Sequence, residues 1–350
     1  MLGYNRRVNH GFATPEGTAR FSSRHSGPTS CGFYRQFESL QISTLGLGTY
    51  LGNPDEATDV AYCDAVMAAV RGGVNFLDAA INYRHQRSER SIGAALEQLF
   101  TSGDAQRDQI VVATKAGFLT PGAVPEFLKP EDVAGGMHSM QPDFLADQID
   151  RSRANLGLDT IDIFYLHNPE TQLGFVSREE FERRIRLAFA KLETLVTDDK
   201  IRGYGTATWD GYRLPAGKPA LDLARLVEIA AEVAGAQHHF KFVQLPFNFA
   251  MAEAFTNGVL DLAARSGIAV VASATLLQAR LARNLPEGLA GRFPGLTTDA
   301  QRAIQFTRST PGILAALVGM SRTEHVAENL AVAALPPLTA DAYRDLYQRA

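Results

Sequence analysis

Val74-Asn-Phe-Leu-Asp78, Ile110-Val-Val-Ala-Thr-Lys115 and Ile161-Asp-Ile-Phe-Tyr-Leu166, the last followed by His167, are three short apolar runs, each closed by a polar side chain. Stretches of helical period, beginning near Ser88 and Asp143, separate them. A strand buried on both faces needs an almost unbroken apolar run, and such strands belong to parallel sheets. The same unit recurs outward along the chain. Further strands are expected at Thr44–Gly48, Gly203–Thr206, Phe242–Pro246, Ala269–Ser273 and Ile313–Gly319. Helices follow them, beginning near Ala57, Ser177, Ala220, Ala254, Thr298 and Thr323. Ser177-Arg-Glu-Glu180 has the spacing of a capping box. Parallel crossovers are right-handed, and eight in one domain close into an α/β fold of the (β/α)8 TIM barrel class. A doubly wound open sheet is the alternative. Against it, Ser43-Thr-Leu-Gly-Leu-Gly48 carries a GxG but no third glycine.

Three connections after strands are long: Ala116–Pro142, Asn168–Val176 and Ala274–Leu296. In a barrel they lie at the C-terminal face, where active sites form. Residues 1–32 show no apolar period and read as an irregular N-terminal arm, with the barrel domain running over 33–350. Tyr34–Ser43 reads as a short hairpin at the bottom of the barrel.

Of 350 residues, 45% are hydrophobic and 21% charged, enough apolar material for a large core. A net charge of −4 lacks the basic footprint expected of a nucleic-acid partner. Cys31 and Cys63 are too few for a disulfide framework and have no metal-ligand spacing, so no metal is expected, and a reducing, cytoplasmic setting is. The longest apolar stretch, Gly267–Leu277, is too short to span a bilayer, so no membrane partner is expected.

Asp78, Lys115 and His167 end consecutive strands, and Tyr83 lies five residues beyond Asp78. In a barrel, neighbouring strand ends bring such side chains to one point. A tyrosine near pKa 10 is a poor acid at neutral pH, and an ammonium beside it lowers that pKa. Asp78 is expected to hold the Lys115 ammonium. His167 is expected to orient a substrate carbonyl oxygen, and Tyr83 to protonate it as a hydride arrives from a cofactor. Taken singly, each residue is better read as a cap, a solvent-reaching side chain or packing. The weight lies in the constellation.

The chain resembles the aldo-keto reductase family. The residues that carry the resemblance are Leu45-Gly-Leu-Gly-Thr-Tyr50, Phe76-Leu-Asp-Ala-Ala-Ile-Asn-Tyr83 with Arg87-Ser-Glu-Arg-Ser-Ile-Gly93, Ala113-Thr-Lys115, Tyr165-Leu-His167, Ile201-Arg-Gly-Tyr-Gly205 and Val318-Gly-Met-Ser-Arg-Thr-Glu-His-Val-Ala-Glu-Asn329. They run in order from about Phe33 to Leu335. The resemblance implies Tyr83 as general acid/base, tuned by Lys115 and Asp78, with His167 orienting substrate. It implies NAD(P)H bound at the barrel top along Gly48, Thr49, Asp78, Asn168, Gln244, Ser273, Thr275, Leu276, Gly319, Ser321, Arg322, His325, Glu328 and Asn329, and Arg322 in the turn Gly319–Thr323 is expected to favour NADP(H) over NAD(H). Within that set, Gln244 and Asn168 are assigned to the nicotinamide carboxamide, and the residues from Gly319 to Asn329 to the adenosine phosphate and adenine. Tyr50, Phe118, Trp209 and Phe247 are expected to line the pocket of a small carbonyl or alcohol substrate.

Two motifs depart from the family pattern. Ala207-Thr208 stands where Ser-Asn is usual. Ala272-Ser-Ala-Thr275 stands where an aromatic residue precedes Ser-Pro-Leu. The function implied is NAD(P)H-dependent reduction of an aldehyde, ketone or sugar carbonyl, or oxidation of the alcohol. The alternatives are a cofactor-binding regulatory subunit like the potassium-channel β subunits, and an isomerase or lyase with no net redox change.

Overall fold

A computed structural model describes residues 8–27, 29, 31–214 and 219–348. Residues 1–7 of the expected arm lie outside them. Among the described residues ten strands form in chain order: β1 Tyr34–Phe37, β2 Leu40–Ser43, β3 Leu45–Gly48, β4 Phe76–Asp78, β5 Val111–Ala116, β6 Ile161–His167, β7 Ile201–Ala207, β8 Phe240–Pro246, β9 Ala269–Ser273 and β10 Ile313–Gly319. The last eight close into a barrel, in order β10-β3-β4-β5-β6-β7-β8-β9, with every neighbouring pair parallel. Closure removes the open sheet from consideration. Helices α1 Pro15–Arg24, α2 Glu56–Arg71, α3 Arg87–Ser102, α4 Pro142–Leu156, α5 Arg178–Thr197, α6 Leu223–Ala234, α7 Glu253–Thr256, α8 Val259–Arg265, α9 Asp299–Ser309, α10 Thr323–Leu330 and α11 Ala340–Gln348 complete the fold. The eight expected strands match β3–β10 to within two residues at either end.

The strand period of two separates two sets of side chains. On β5, Val111 and Ala113 join the barrel-interior cluster, whereas Val112 and Ala116 join the outer core beneath the helices. On β6, Ile163 and Tyr165 point inward and Phe164 and Leu166 outward. Phe76 of β4 and Phe242 of β8 also face inward. By the same parity Asp78, Lys115 and His167 are the last inward-facing residues of their strands, and Gln244 faces inward two positions before the end of β8. Interior packing therefore gives way to polar chemistry at one end of the barrel.

The opposite end is closed by the β1–β2 hairpin, whose antiparallel register runs from Tyr34↔Ser43 to Phe37↔Leu40. Ile42 sits in the interior cluster, and the rings of Phe37 and Phe242 lie 5.2 Å apart. The arm departs from expectation, because it contains α1. Thr14 caps this helix by accepting from the Gly17 amide at 3.0 Å, and Pro15 occupies its first turn. Only one large apolar side chain, Phe21, is buried from it, so no period was visible. One anchor of the arm is Asp162, whose carboxylate accepts from the Ala13 amide (2.7 Å), the Val112 amide (2.8 Å) and Arg107 (2.8 Å). Both members of the Arg107–Asp162 pair are buried.

A second correction concerns the capping box. Ser177 does accept from the Glu180 amide, but Glu180 turns outward to Arg183 and Arg184 instead of reciprocating. Its carboxylate gains two guanidinium partners, which outweigh one backbone donor. Among the described residues no helix is long and apolar enough to cross a membrane, and no cluster of His, Cys, Asp or Glu could hold a metal.

Candidate active site

A cleft of about 530 Å³ opens at the C-terminal end of the barrel. It is lined by Asp78, Tyr83, His167, Asn168 and Gln244, by Gly48, Thr49 and Gly319, and by Ser273, Thr275 and Leu276. Tyr50, Phe118 and Trp209 form its apolar wall.

At the floor, Lys115 Nζ donates to Asp78 Oδ2 and to the Ala79 carbonyl, both at 2.6 Å. Gln244 Nε2 donates to Asp78 Oδ1 at 2.8 Å. The β4–β5 register pairs Asp78 with Ala113, two residues before Lys115 on the same face of β5, and the β7–β8 register pairs Gln244 with Ala207. Lys115 is 0% exposed. Burial pushes its ammonium pKa down and the Asp78 carboxyl pKa up, and each partner's charge opposes the shift of the other. A buried pair of this kind persists because hydrogen bonds satisfy both members.

Lys115 Nζ stands 4.8 Å from the centroid of the Tyr83 ring. Tyr50 packs edge-on to that ring at 4.9 Å, and His167 does so at 5.6 Å from the other side. The expected fall of the Tyr83 pKa below its ordinary value is not met. Burial pushes the phenol well above its ordinary value, and the negative charge of Asp78 pushes the same way. The Lys115 ammonium does not reverse that rise, so Tyr83 keeps its proton at neutral pH. Burial, and then the Lys115 charge, hold His167 well below the usual imidazole range, so it is neutral. A neutral imidazole beside a protonated phenol is a pair of hydrogen-bonding groups aimed at an uncharged acceptor such as a carbonyl oxygen.

The structure leaves polar atoms in or near the cleft with no hydrogen-bond partner: His167 Nδ1, Asn82 Oδ1 and Thr275 Oγ1. Buried polar atoms are normally satisfied, so unpartnered ones at a cleft fit a ligand that supplies donors and acceptors. Gly48 and Gly319 pair across the β3–β10 register, and a Cβ on either would point into space with nothing nearer than 3.9 Å. This bare strip admits a close-lying ligand backbone.

The remaining expected residues divide. Ser321, Arg322, His325, Glu328 and Asn329 do not line the cleft but continue from Gly319 along the β10–α10 turn and α10. Arg322 is exposed at the N-cap position of α10, with no ion pair among the described residues, while Asn329 is buried with Oδ1 unpartnered. Gln244, assigned to a carboxamide, spends its donor on Asp78. Phe247 is a correction: it does not line the cleft but is fully buried and stacks on Phe306 at 6.1 Å. It lies three positions past inward-facing Gln244, so strand parity turns it toward the helices. Ala272 likewise stays outside the cleft.

Sequence reasoning missed Leu51, Asn82 and Gln278 in the lining, and two buried groups behind it, His138 and Glu170. Glu170 accepts from Thr208 Oγ1 (2.5 Å) and the Trp209 amide (3.0 Å), fixing the turn that carries Trp209 into the cleft. Asn82 and Leu51 adjoin Tyr83 and Tyr50 in the sequence, which was the available signal. His138 lies in a loop without period, and nothing in the sequence marked it.

A family model described as the Aldo/keto reductase family matches residues 44–290. NADH-specific methylglyoxal reductase of Escherichia coli (strain K12) is 31% identical over 176 residues, 49% of this chain and 50% of that protein. The chain thus spans about half the length of that relative. A probable voltage-gated potassium channel subunit beta of Arabidopsis thaliana is 25% identical over 323 residues, 86% of this chain and 90% of that one. Among solved structures, an aldo/keto reductase from Klebsiella pneumoniae in complex with NADP and acetate superposes with a TM-score of 0.64. It is 20% identical, covering 91% of this chain and 95% of the other.

Proposed function

The chain belongs to the aldo/keto reductase family, and on that premise we propose that it is an NADP(H)-dependent oxidoreductase that reduces an aldehyde, ketone or sugar carbonyl, or oxidises the corresponding alcohol. The observation that carries this reading is that Asp78, Tyr83 and His167 line one cleft, with Lys115 buried behind them, bonded to Asp78 and facing the Tyr83 ring. A nicotinamide supplies the hydride when bound. Tyr83 donates the proton to the carbonyl oxygen, and its raised pKa suits it to hold that proton until an oxyanion develops. Lys115, fixed by Asp78, places a positive charge under the phenol ring and stabilises the phenolate left after transfer. Neutral His167 hydrogen-bonds the same oxygen and sets its direction. Tyr50, Phe118 and Trp209 exclude water from the reacting carbonyl.

The groups suited to the cofactor are the bare Gly48–Gly319 strip, Thr49, Asn168, Ser273, Thr275 and Leu276, then Ser321, Arg322, His325, Glu328 and Asn329. Gln244 contributes through Asp78. Arg322, unpaired and next to the free amides of α10, favours a phosphate dianion and therefore NADP(H) over NAD(H). The NADH-specific relative makes this preference worth measuring.

The test is loss of NADPH absorbance with a panel of aldehydes. Tyr83→Phe is expected to slow turnover by about 10²–10⁴ while cofactor binding holds. Arg322→Ala is expected to weaken NADPH by roughly ten- to a hundredfold and leave NADH nearly unchanged. A Tyr83→Phe rate within about threefold of the parent would remove Tyr83 from the acid role. The long match to a channel β subunit favours a second reading, a cofactor-binding regulatory subunit. Tight NADPH binding without turnover on any carbonyl would select it.

A further inference from the structure

His138 is 0% exposed, lies in the long β5–α4 loop, and has no place in the chemistry above. Its hydrogen bonds are fixed from both ends. Arg184 can only donate, and its Nη1 gives a hydrogen bond to Gln172 Oε1 at 3.0 Å. Gln172 Nε2 therefore faces His138 Nδ1, 3.1 Å away, as a donor, and Nδ1 must accept. The proton sits on Nε2, which donates to the His167 main-chain carbonyl at 2.7 Å. Burial holds the ring neutral, with its pKa down at about 4. A second proton on Nδ1 would point at the Gln172 N–H.

The contact needs a specific opening. A Cβ on Gly117 would stand 2.5 Å from His138 Nε2 and 2.6 Å from the His167 carbonyl oxygen. Gly117 is thus the gap through which the loop histidine reaches the end of β6. The same ring packs edge-on against Phe118 at 5.2 Å, and Phe118 packs edge-on against the His167 ring at 5.4 Å. Beyond the His167 carbonyl, the Asn168 amide donates to Ala207 at 2.6 Å, and Asn168 adopts a left-handed φ of 49°.

We infer that His138 is a positioning residue: through the Arg184–Gln172–His138 relay it fixes the 167–168 peptide and the Phe118 ring, and so sets the position of the His167 imidazole over the cleft. This rests on the reductase reading for its effect on turnover but not for its geometry. Misplacing a reacting group by about 1 Å can cost about a hundredfold in rate.

Three variants test it. His138→Phe fills the space without the donor, His138→Gln keeps an N–H within reach of the carbonyl, and Gly117→Ala wedges the contact open from the other side. With turnover on the best aldehyde, His138→Phe and Gly117→Ala are expected to lower kcat by about ten- to a hundredfold with little change in cofactor KM, and His138→Gln to stay within about threefold. Imidazole ¹⁵N spectra, which need no turnover, should show His138 as one Nε2–H tautomer. The His167 signals should shift in His138→Phe and Gly117→Ala and return toward the parent in His138→Gln. Unmoved His167 signals in a folded His138→Phe or Gly117→Ala would overturn the positioning role. So would a kcat within threefold of an active parent. Shifted signals in a parent that turns over no carbonyl would refute the reductase reading and leave the positioning role standing.

Discussion

Lys115→Met isolates the cost of the buried ion pair. The substitution keeps most of the aliphatic stem but removes the ammonium that lies 2.6 Å from Asp78. Asp78, only 4% exposed, is then left with Gln244 as its one side-chain donor. Removing one partner of a buried pair costs about 3–5 kcal/mol, because the other charge stays desolvated. That is a large share of a typical stability of about 5–15 kcal/mol. The pH dependence carries the signature. Burial already pushes the Asp78 carboxyl up, and without Lys115 nothing but the Gln244 amide opposes it. A folded-state pKa above the unfolded value favours folding of the protonated form. The penalty is thus absent below the unfolded carboxylate range near pH 4 and grows as pH rises above it. Urea midpoints should show a deficit of about 3–5 kcal/mol at pH 8 that shrinks toward pH 4. In the double variant Lys115→Met/Asp78→Asn the deficit should be small and flat with pH. A Lys115→Met deficit below about 1 kcal/mol, or one equal at pH 5 and pH 8, would refute the reasoning.

Asp162→Ala should leave the Arg107 guanidinium buried and unpaired and free the Ala13 and Val112 amides. The expected loss is about 3–5 kcal/mol, with α1 becoming open to limited proteolysis while NADPH affinity is kept. An arm still protected in this variant would show that Asp162 does not hold it. For the parent, the depressed pKa of His138 means that stability is complete above about pH 6.5 and falls between there and pH 4. A ring held at about 4 when folded corresponds to about 3 kcal/mol of such stability, and acid unfolding curves of His138→Gln should lack that component.

The barrel was legible because strands buried on both faces must be nearly continuous in apolar residues, and the polar residue that ends each run is therefore conspicuous. Asp78, Lys115 and His167 were visible for that reason. The Gln244–Asp78 bond was not, since it joins residues 166 positions apart and exists only once the barrel has closed. Helix α1 announced itself only through Thr14-Pro15, because a helix that buries one large side chain has no period to detect. Phe247 was misjudged by proximity to a strand end, although counting parity from Gln244 would have sent it to the outer core. The Tyr83 pKa was misjudged because sequence shows which charges are near, but not that burial dominates them.

Gly48 and Gly319, the bare strip at the rim, belong to the first and last strands of the barrel. Asp78, Tyr83, Lys115 and His167 are all encoded before residue 168, but this strip has two sides only when β10 docks against β3. A nascent chain that has reached residue 312 carries every acid, base and cation of the cleft and still has an open seam in place of a ledge. Ligand competence should therefore appear abruptly and late in synthesis. Contacts between distant parts of a chain are the slowest to form, so a dinucleotide that favours the closed seam would act during maturation as a clasp on the finished barrel.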